Sequence, residues 1–164
     1  MNSFQVRRAE AGDEPVLRAL RIQALSEAPE AFGSTLAREV ARSPADWQRW
    51  LSPGATFILD TSTGPMGMVA GVPDNEDQAI VHLMAMWVHP ELRGTGAADL
   101  LVDAVVIWGE GVGASALRLD VIAGNDRARQ LDERHQFRPT GHTAERPRDG
   151  ATEIQMTRPL GQSG

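Results

Sequence analysis

Residues 88–98 read Val88-His89-Pro90-Glu91-Leu92-Arg93-Gly94-Thr95-Gly96-Ala97-Ala98. Before them runs the longest apolar strand-like segment of the chain, Ala79 to Val88. After them Ala97 to Trp108 is helical, with Leu101, Val105 and Trp108 on one face. The stretch is therefore a strand–turn–helix junction. The first turn of a helix leaves backbone N–H groups unpaired, and with the helix dipole behind them they attract phosphate oxygens. Gly94 and Gly96 allow a ligand to approach the main chain closely, and Arg93 adds a cation. By itself a glycine pair before a helix is equally consistent with an ordinary tight turn. No Lys-Ser or Lys-Thr follows, so it is not a P-loop. The third glycine of a dinucleotide fingerprint is missing, and the strand is a late one rather than the first.

Working outward, Phe4 to Ala9 alternates as a first strand. Asp13 stands where it can cap a helix that has Pro15 in its first turn, and Val16, Leu17, Leu20, Ala24 and Leu25 follow helical spacing. A second helical stretch runs from about Ser34 to Leu51, broken at Ser43-Pro44. Phe57 to Leu59 and Met66 to Val72 read as meander strands, with Thr61 to Pro65 as their turn. Leu117 to Ile122 is a buried strand, Asn125 opens a helix to about Arg134, and Phe137 to His142 and Thr152 to Met156 are the last two strands. The order is β-α-α-β-β-β-α-β-α-β-β, which packs as a mixed α/β (α+β) sheet with helices on both faces.

The segment Arg93-x-x-Gly96-x-Ala98 resembles the pyrophosphate-binding signature of the GNAT (GCN5-related N-acetyltransferase) family, Gln/Arg-x-x-Gly-x-Gly/Ala. The preceding Val88-His89-Pro90-Glu91 is also usual there, and the element order over the whole chain is the family order. Asn125-x-x-Ala128-x-x-Leu131, ending at Phe137, is similar to the family's Asn-x-x-Ala-x-x-Leu-Tyr-x-x-x-Gly-Phe segment. The resemblance implies a single domain over residues 1–164, with acetyl-CoA held between two splayed strands, those ending at Val88 and starting at Leu117. It implies that backbone near Met86, Trp87 and Val88 bonds the pantetheine arm. Arg93, Gly94, Thr95, Gly96, Ala97 and Ala98 would cradle the pyrophosphate, and Asn125, Arg127 and Ala128 would complete the cofactor contacts, with Arg129 a further cation near them. Asn125 is also a plain helix N-cap on its own reading, and lone arginines are often only solvated. The implied reaction is direct attack of an acceptor amine on the thioester.

Two positions depart from the family pattern. Asp132 stands where a tyrosine is commonly proposed to protonate the departing thiolate, and Gln136 replaces a glycine. A carboxylic acid can take the tyrosine's role only with a pKa well above the ordinary ~3.9; water and His135 are the alternatives. His82 is the candidate base, placed by period-two alternation on one strand face with Met84, Met86 and Val88. An imidazole of pKa ~6.5 suits proton removal near neutrality, and a hydrogen-bonded structural histidine is the competing reading. His89 fills the usual turn and reads as structural. The resemblance puts the acceptor pocket between residues 27–35 and 142–150. Glu30, Phe32 and Ser34 would contact the acceptor there, with Glu27 a further carboxylate for a cation and Glu145, Arg146 and Arg148 on the opposite loop. Trp47 and Trp50 are expected to pack a helix on the sheet. Nothing names the acceptor beyond an amine-bearing molecule, small or protein.

Composition is consistent with this reading. The chain has 164 residues and 41% apolar content, enough for one packed core. It lacks cysteine, which removes disulfides, thiolate metal sites and a cysteine nucleophile, and no metal site is expected. A net charge of −6 disfavours a nucleic-acid partner. No apolar run approaches a membrane span, and residues 1–4 lack a signal-peptide pattern, so a cytoplasmic location is expected. All sixteen basic residues are arginine, and tyrosine is absent. The resemblance leaves a homodimer open, and Asp132 motivates an alternative: an acyl-CoA-binding sensor with little catalysis.

Overall fold

The computed structural model describes residues 3–48 and 50–161. Seven strands form one sheet in the order β1-β2-β3-β4-β5-β7-β6. They are β1 (Phe4–Arg8), β2 (Ala55–Thr61), β3 (Gly64–Pro73), β4 (Ile80–Val88), β5 (Ala116–Ile122), β6 (Arg138–Glu145) and β7 (Thr152–Pro159). Every neighbouring pair is antiparallel except β4 and β5. The helices are α1 (Glu14–Glu27), α2 (Leu36–Val40), α3 (Pro44–Gln48), α4 (Ala97–Gly111) and α5 (Asp126–Arg134). The stretch expected as one broken helix is thus two single-turn-scale helices, separated where Pro44 cannot continue the first. The turn expected over residues 61–65 tightens to Ser62-Thr63, with Thr61 paired to Gly64.

Two cores sandwich the sheet. On one face Leu101, Val102 and Val105 of α4 pack against Leu59, Val69, Val81, Leu83, Leu117 and Leu119. On the other, Leu17, Leu20, Ala24 and Leu25 of α1 and Trp47 of α3 pack against Ile58, Met68 and Trp87. The capping expected at Asp13 takes a different form. Asp13 sits at the N-cap, but its carboxylate accepts from Arg7 at 2.9 and 3.2 Å instead of capping the helix N–H groups. The Arg7 guanidinium holds that carboxyl below the ordinary aspartate range.

One irregularity in β4 organises the molecule. Met68 pairs with Trp87 while Ala70 pairs with Met84, so two steps of β3 face three of β4. The extra residue is a β-bulge, and Ala85 takes a left-handed φ of 57° within it. The strand changes phase there. Val81 and Leu83 face the α4 core before the bulge, and Val88 and Met86 face it afterwards, while Ala85 and Trp87 turn to the α1 side. The expected common face for His82, Met84, Met86 and Val88 is therefore broken: His82 and Met84 lie on the opposite face from Met86 and Val88. Strict alternation cannot register an inserted residue. The bulge also bends β4 away from β5, which it pairs with only at Ile80–His82.

Candidate active site

Beyond His82, β4 has no strand on its outer edge, so the backbone of residues 83–88 faces open space there. That wedge widens into a groove of about 960 Å³. One wall is Met86, Trp87 and Val88; another is Arg93, Gly94 and Ala98; a third comes from Ile122 to Asn125, Arg127, Ala128, Leu131 and Arg134. Gly94 and Gly96 have φ values of 81° and 90°, and an added Cβ at either would meet nothing within 4 Å. The main chain at this turn is thus both left-handed and open to a ligand. Asn125 caps α5 with its Oδ1, which accepts from the Ala128 N–H at 3.3 Å.

The other predicted cofactor residues sit differently. Ala97 is fully buried in the core, so its side chain is not at the groove. The Thr95 hydroxyl donates to the Leu92 carbonyl and shapes the turn. His89 Nδ1 accepts from the Glu91 N–H at 3.1 Å, the structural part expected of it. Arg93 lines the groove, yet its guanidinium holds Glu27 in a two-pronged pair at 2.9 and 2.7 Å. The Trp87 indole donates to the same carboxylate at 3.1 Å. Arg93, with help from Trp87, keeps Glu27 below the ordinary glutamate range. Glu27 is thus engaged by the turn and is not a free carboxylate for an acceptor. Arg127 lines the groove, whereas Arg129 pairs with Glu133 at 3.0 Å.

A second cavity of about 360 Å³ adjoins the first, and Ala31, Phe32 and Ile122 border both. Phe32 and Ser34 line it as expected of acceptor residues, while Glu30 faces the larger groove. His82 lines the smaller cavity, with Nε2 at 2.7 Å from Asp74 Oδ1. That bond, with backbone N–H groups of Glu76 and Asp77, holds the Asp74 carboxyl below its ordinary range. Trp50 lines the cavity too, unlike the purely packing residue expected; Trp47 is buried in the core. Residues 142–145 belong to β6, so the expected 142–150 loop begins only after Glu145, and Arg146 is its residue that lines the cavity. Arg146 is buried and donates to the Phe32 carbonyl at 3.0 Å, and Arg148 donates to the Ser34 carbonyl at 3.1 Å.

Asp132 is 8% exposed and borders neither cavity. Burial, reinforced by the neighbouring Glu133 charge, raises its carboxyl to about 7. His135, the other substitute for tyrosine, bonds Asp99 at 2.7 Å and lies off both cavities. Sequence reading missed Asp74, Glu39, Asp120 and Glu153 around the smaller cavity. Their signal lies in strand pairing across β5 and β7, in the β3–β4 turn and, for Glu39, in the ion pair between α2 and Arg21 of α1, none of which a single sequence displays.

The profile of the acetyltransferase (GNAT) family matches residues 21–137. The chain belongs to that family, a class of acyltransferases. The fold is shared with an acetyltransferase of the GNAT family from Streptococcus pneumoniae. The TM-score is 0.82 at 18% identity, over 97% of this chain and all of that one. The ribosomal-protein-S18-alanine N-acetyltransferase of Escherichia coli superposes with a TM-score of 0.74 at 17% identity, over 99% and 97% of the two chains. A putative acetyltransferase from Salmonella typhimurium, solved with its cofactor acetyl-CoA, gives 0.77 at 14% identity, over 99% and 96%. No curated protein sequence matches the chain. No helix among the described residues is long and apolar enough to cross a membrane.

Proposed function

We propose that this protein is an N-acetyltransferase that transfers acetyl from acetyl-CoA to a primary amine by direct attack. The observation that carries the reading is the unpaired outer edge of β4 beyond His82, set against a left-handed glycine turn at the start of α4. The residues fit the donor. An extended arm finds backbone partners along residues 83–88, and phosphates find open main chain at Gly94 and Gly96, with Arg127 the groove cation that makes no ion pair among the described residues. Acetyl-CoA supplies a thioester carbonyl as electrophile and a thiolate as leaving group.

The protein's own contribution is placement and proton management. Fixed N–H donors on β4 act where negative charge develops, and holding two reactants in one channel contributes ~7–11 kcal/mol. His82 takes the proton of the acceptor ammonium, with Asp74 orienting its ring through Nε2. Phe32 lies where the larger groove meets the acceptor cavity, Glu30 on the groove side of it, and Ser34 within that cavity. Burial raises the Asp132 carboxyl to about 7, but it borders neither cavity, so the departing thiolate takes its proton from water in the open groove. That same displacement favours a second reading, an acyl-CoA-binding sensor with little turnover.

Calorimetric titration with acetyl-CoA, beside free CoA, tests the first reading. Saturable binding that weakens at least tenfold in Gly96→Asp supports it; equal affinity in the variant overturns the placement. Acetyl-dependent release of CoA across an amine panel separates transferase from sensor.

A further inference from the structure

The smaller cavity is electrically two-sided. On the wall formed by α1, α2 and the residues just after α2, Arg21 and Arg42 both bond the fully buried Glu39, and the Arg38 guanidinium has no partner among the described residues. Three guanidiniums there face one carboxylate, a surplus of two positive charges. Arg21 is only 6% exposed and lies 4.9 Å over the Phe32 ring and 5.4 Å over the Trp50 ring. Its NH1 is buried without a hydrogen-bond partner among the described residues, and so is the Ser34 hydroxyl. Both atoms are sealed beneath the cavity surface, so a ligand anion reaches them only as the two side chains turn to meet it, which relieves the cost of the unmet groups.

The sheet wall carries the opposite sign. Asp120 and Ile122 share a face of β5, and Ile122 pairs with Glu153 of β7. Asp120 and Glu153 therefore line the cavity together, and neither accepts a hydrogen bond among the described residues. Partial burial and the Asp120 charge raise the Glu153 carboxyl above its ordinary range. These two carboxylates flank Ile122, which with Ala31 and Phe32 borders both cavities, on the path from the acceptor cavity to the groove.

We infer that the acceptor is a small dipolar amine, one that carries an anionic group beside its ammonium. The ammonium lies at Asp120 and Glu153, and the anion meets Arg21 NH1, Ser34 and Arg38. This inference rests on the transferase reading and narrows its substrate class. The reaction balances with two proton transfers: the ammonium loses one proton to His82, the C–N bond forms as the C–S bond breaks, and the second proton, shed as the nitrogen becomes an amide, passes through groove water to the thiolate.

The test is a CoA-release assay on matched pairs of amines that differ only in the anion. Amino acids, β-alanine, taurine and phosphoethanolamine are each compared with the alkylamine lacking the acid, and spermidine is included. Members with the anion are expected to show kcat/KM roughly a hundredfold above their partners, because an unmatched buried donor penalises the analogue that lacks the group. Ser34→Ala and Arg38→Gln, both at partly or fully exposed residues, are expected to narrow that ratio at least fivefold while leaving acetyl-CoA affinity unchanged. Equal or better turnover of the anion-free members overturns the inference. So does turnover of neither series by protein that binds acetyl-CoA. Absence of acetyl-CoA binding would instead strike the transferase reading itself.

Discussion

Asp132→Asn should make the protein more stable at alkaline pH and change its stability little near pH 4. The wild-type carboxyl is buried in α5 with no side-chain hydrogen bond among the described residues, and burial raises it from 3.8 to about 7. A carboxyl raised in the folded state contributes stability below its unfolded pKa. That contribution is lost as pH climbs through the folded value, because the unfolded chain releases its proton first. At 1.36 kcal/mol per decade, the full loss is about 4 kcal/mol. Roughly 2.5 kcal/mol of it falls between pH 5 and pH 8. Urea unfolding of both proteins at these two pH values reads the difference. Other titrating groups cancel in the comparison, as does the fixed cost of burying an amide. The gap between variant and wild type is expected to widen by about 2.5 kcal/mol on going to pH 8, or roughly 5–10 °C in Tm. A gap that stays constant with pH would mean that Asp132 ionises in the fold as it does in water. The burial argument would then fail, and with it the claim that the carboxyl at the tyrosine position is raised to about 7.

Three further outcomes follow from the same geometry. Gly71→Ala puts a Cβ 2.9 Å from the Trp108 ring and 3.2 Å from Val105; overpacking the β3–α4 contact should cost about 1–3 kcal/mol in urea unfolding. Arg146→Met removes the bond to the Phe32 carbonyl, so kcat/KM for the acceptor should fall about tenfold or more, with acetyl-CoA affinity held in calorimetry. His82→Gln should lower kcat by a factor of roughly 10²–10⁴ and remove the acid limb of the pH–rate profile; an intact limb would assign the proton transfer elsewhere.

Much of the architecture was legible before any coordinates. The strand–turn–helix at residues 88–98 and the capped start at Asn125 are local features, fixed by glycine conformation and side-chain reach, and both stand where the sequence puts them. The element order followed for the same reason, since apolar periodicity is local. The phase change at Ala85 was not legible, because an inserted residue in a strand shows only against its partner β3. Arg93 read as a free cation and is instead engaged by Glu27, 66 residues away in sequence. Long-range pairs of this sort leave no spacing to read, and the same holds for Asp74 with His82 and for the carboxylates of β5 and β7.

The hold of the β6–β7 loop on the 27–35 link is made to carbonyl oxygens, those of Phe32 and Ser34. Main-chain oxygens are the same whatever residue carries them. The fastening is therefore blind to side-chain identity, and the side chain at position 34, whose hydroxyl bonds nothing in the protein among the described residues, can change with the acceptor. An ancestor could exchange one acceptor for another by substitution there without loosening the wall, and a protein engineer can begin at the same position.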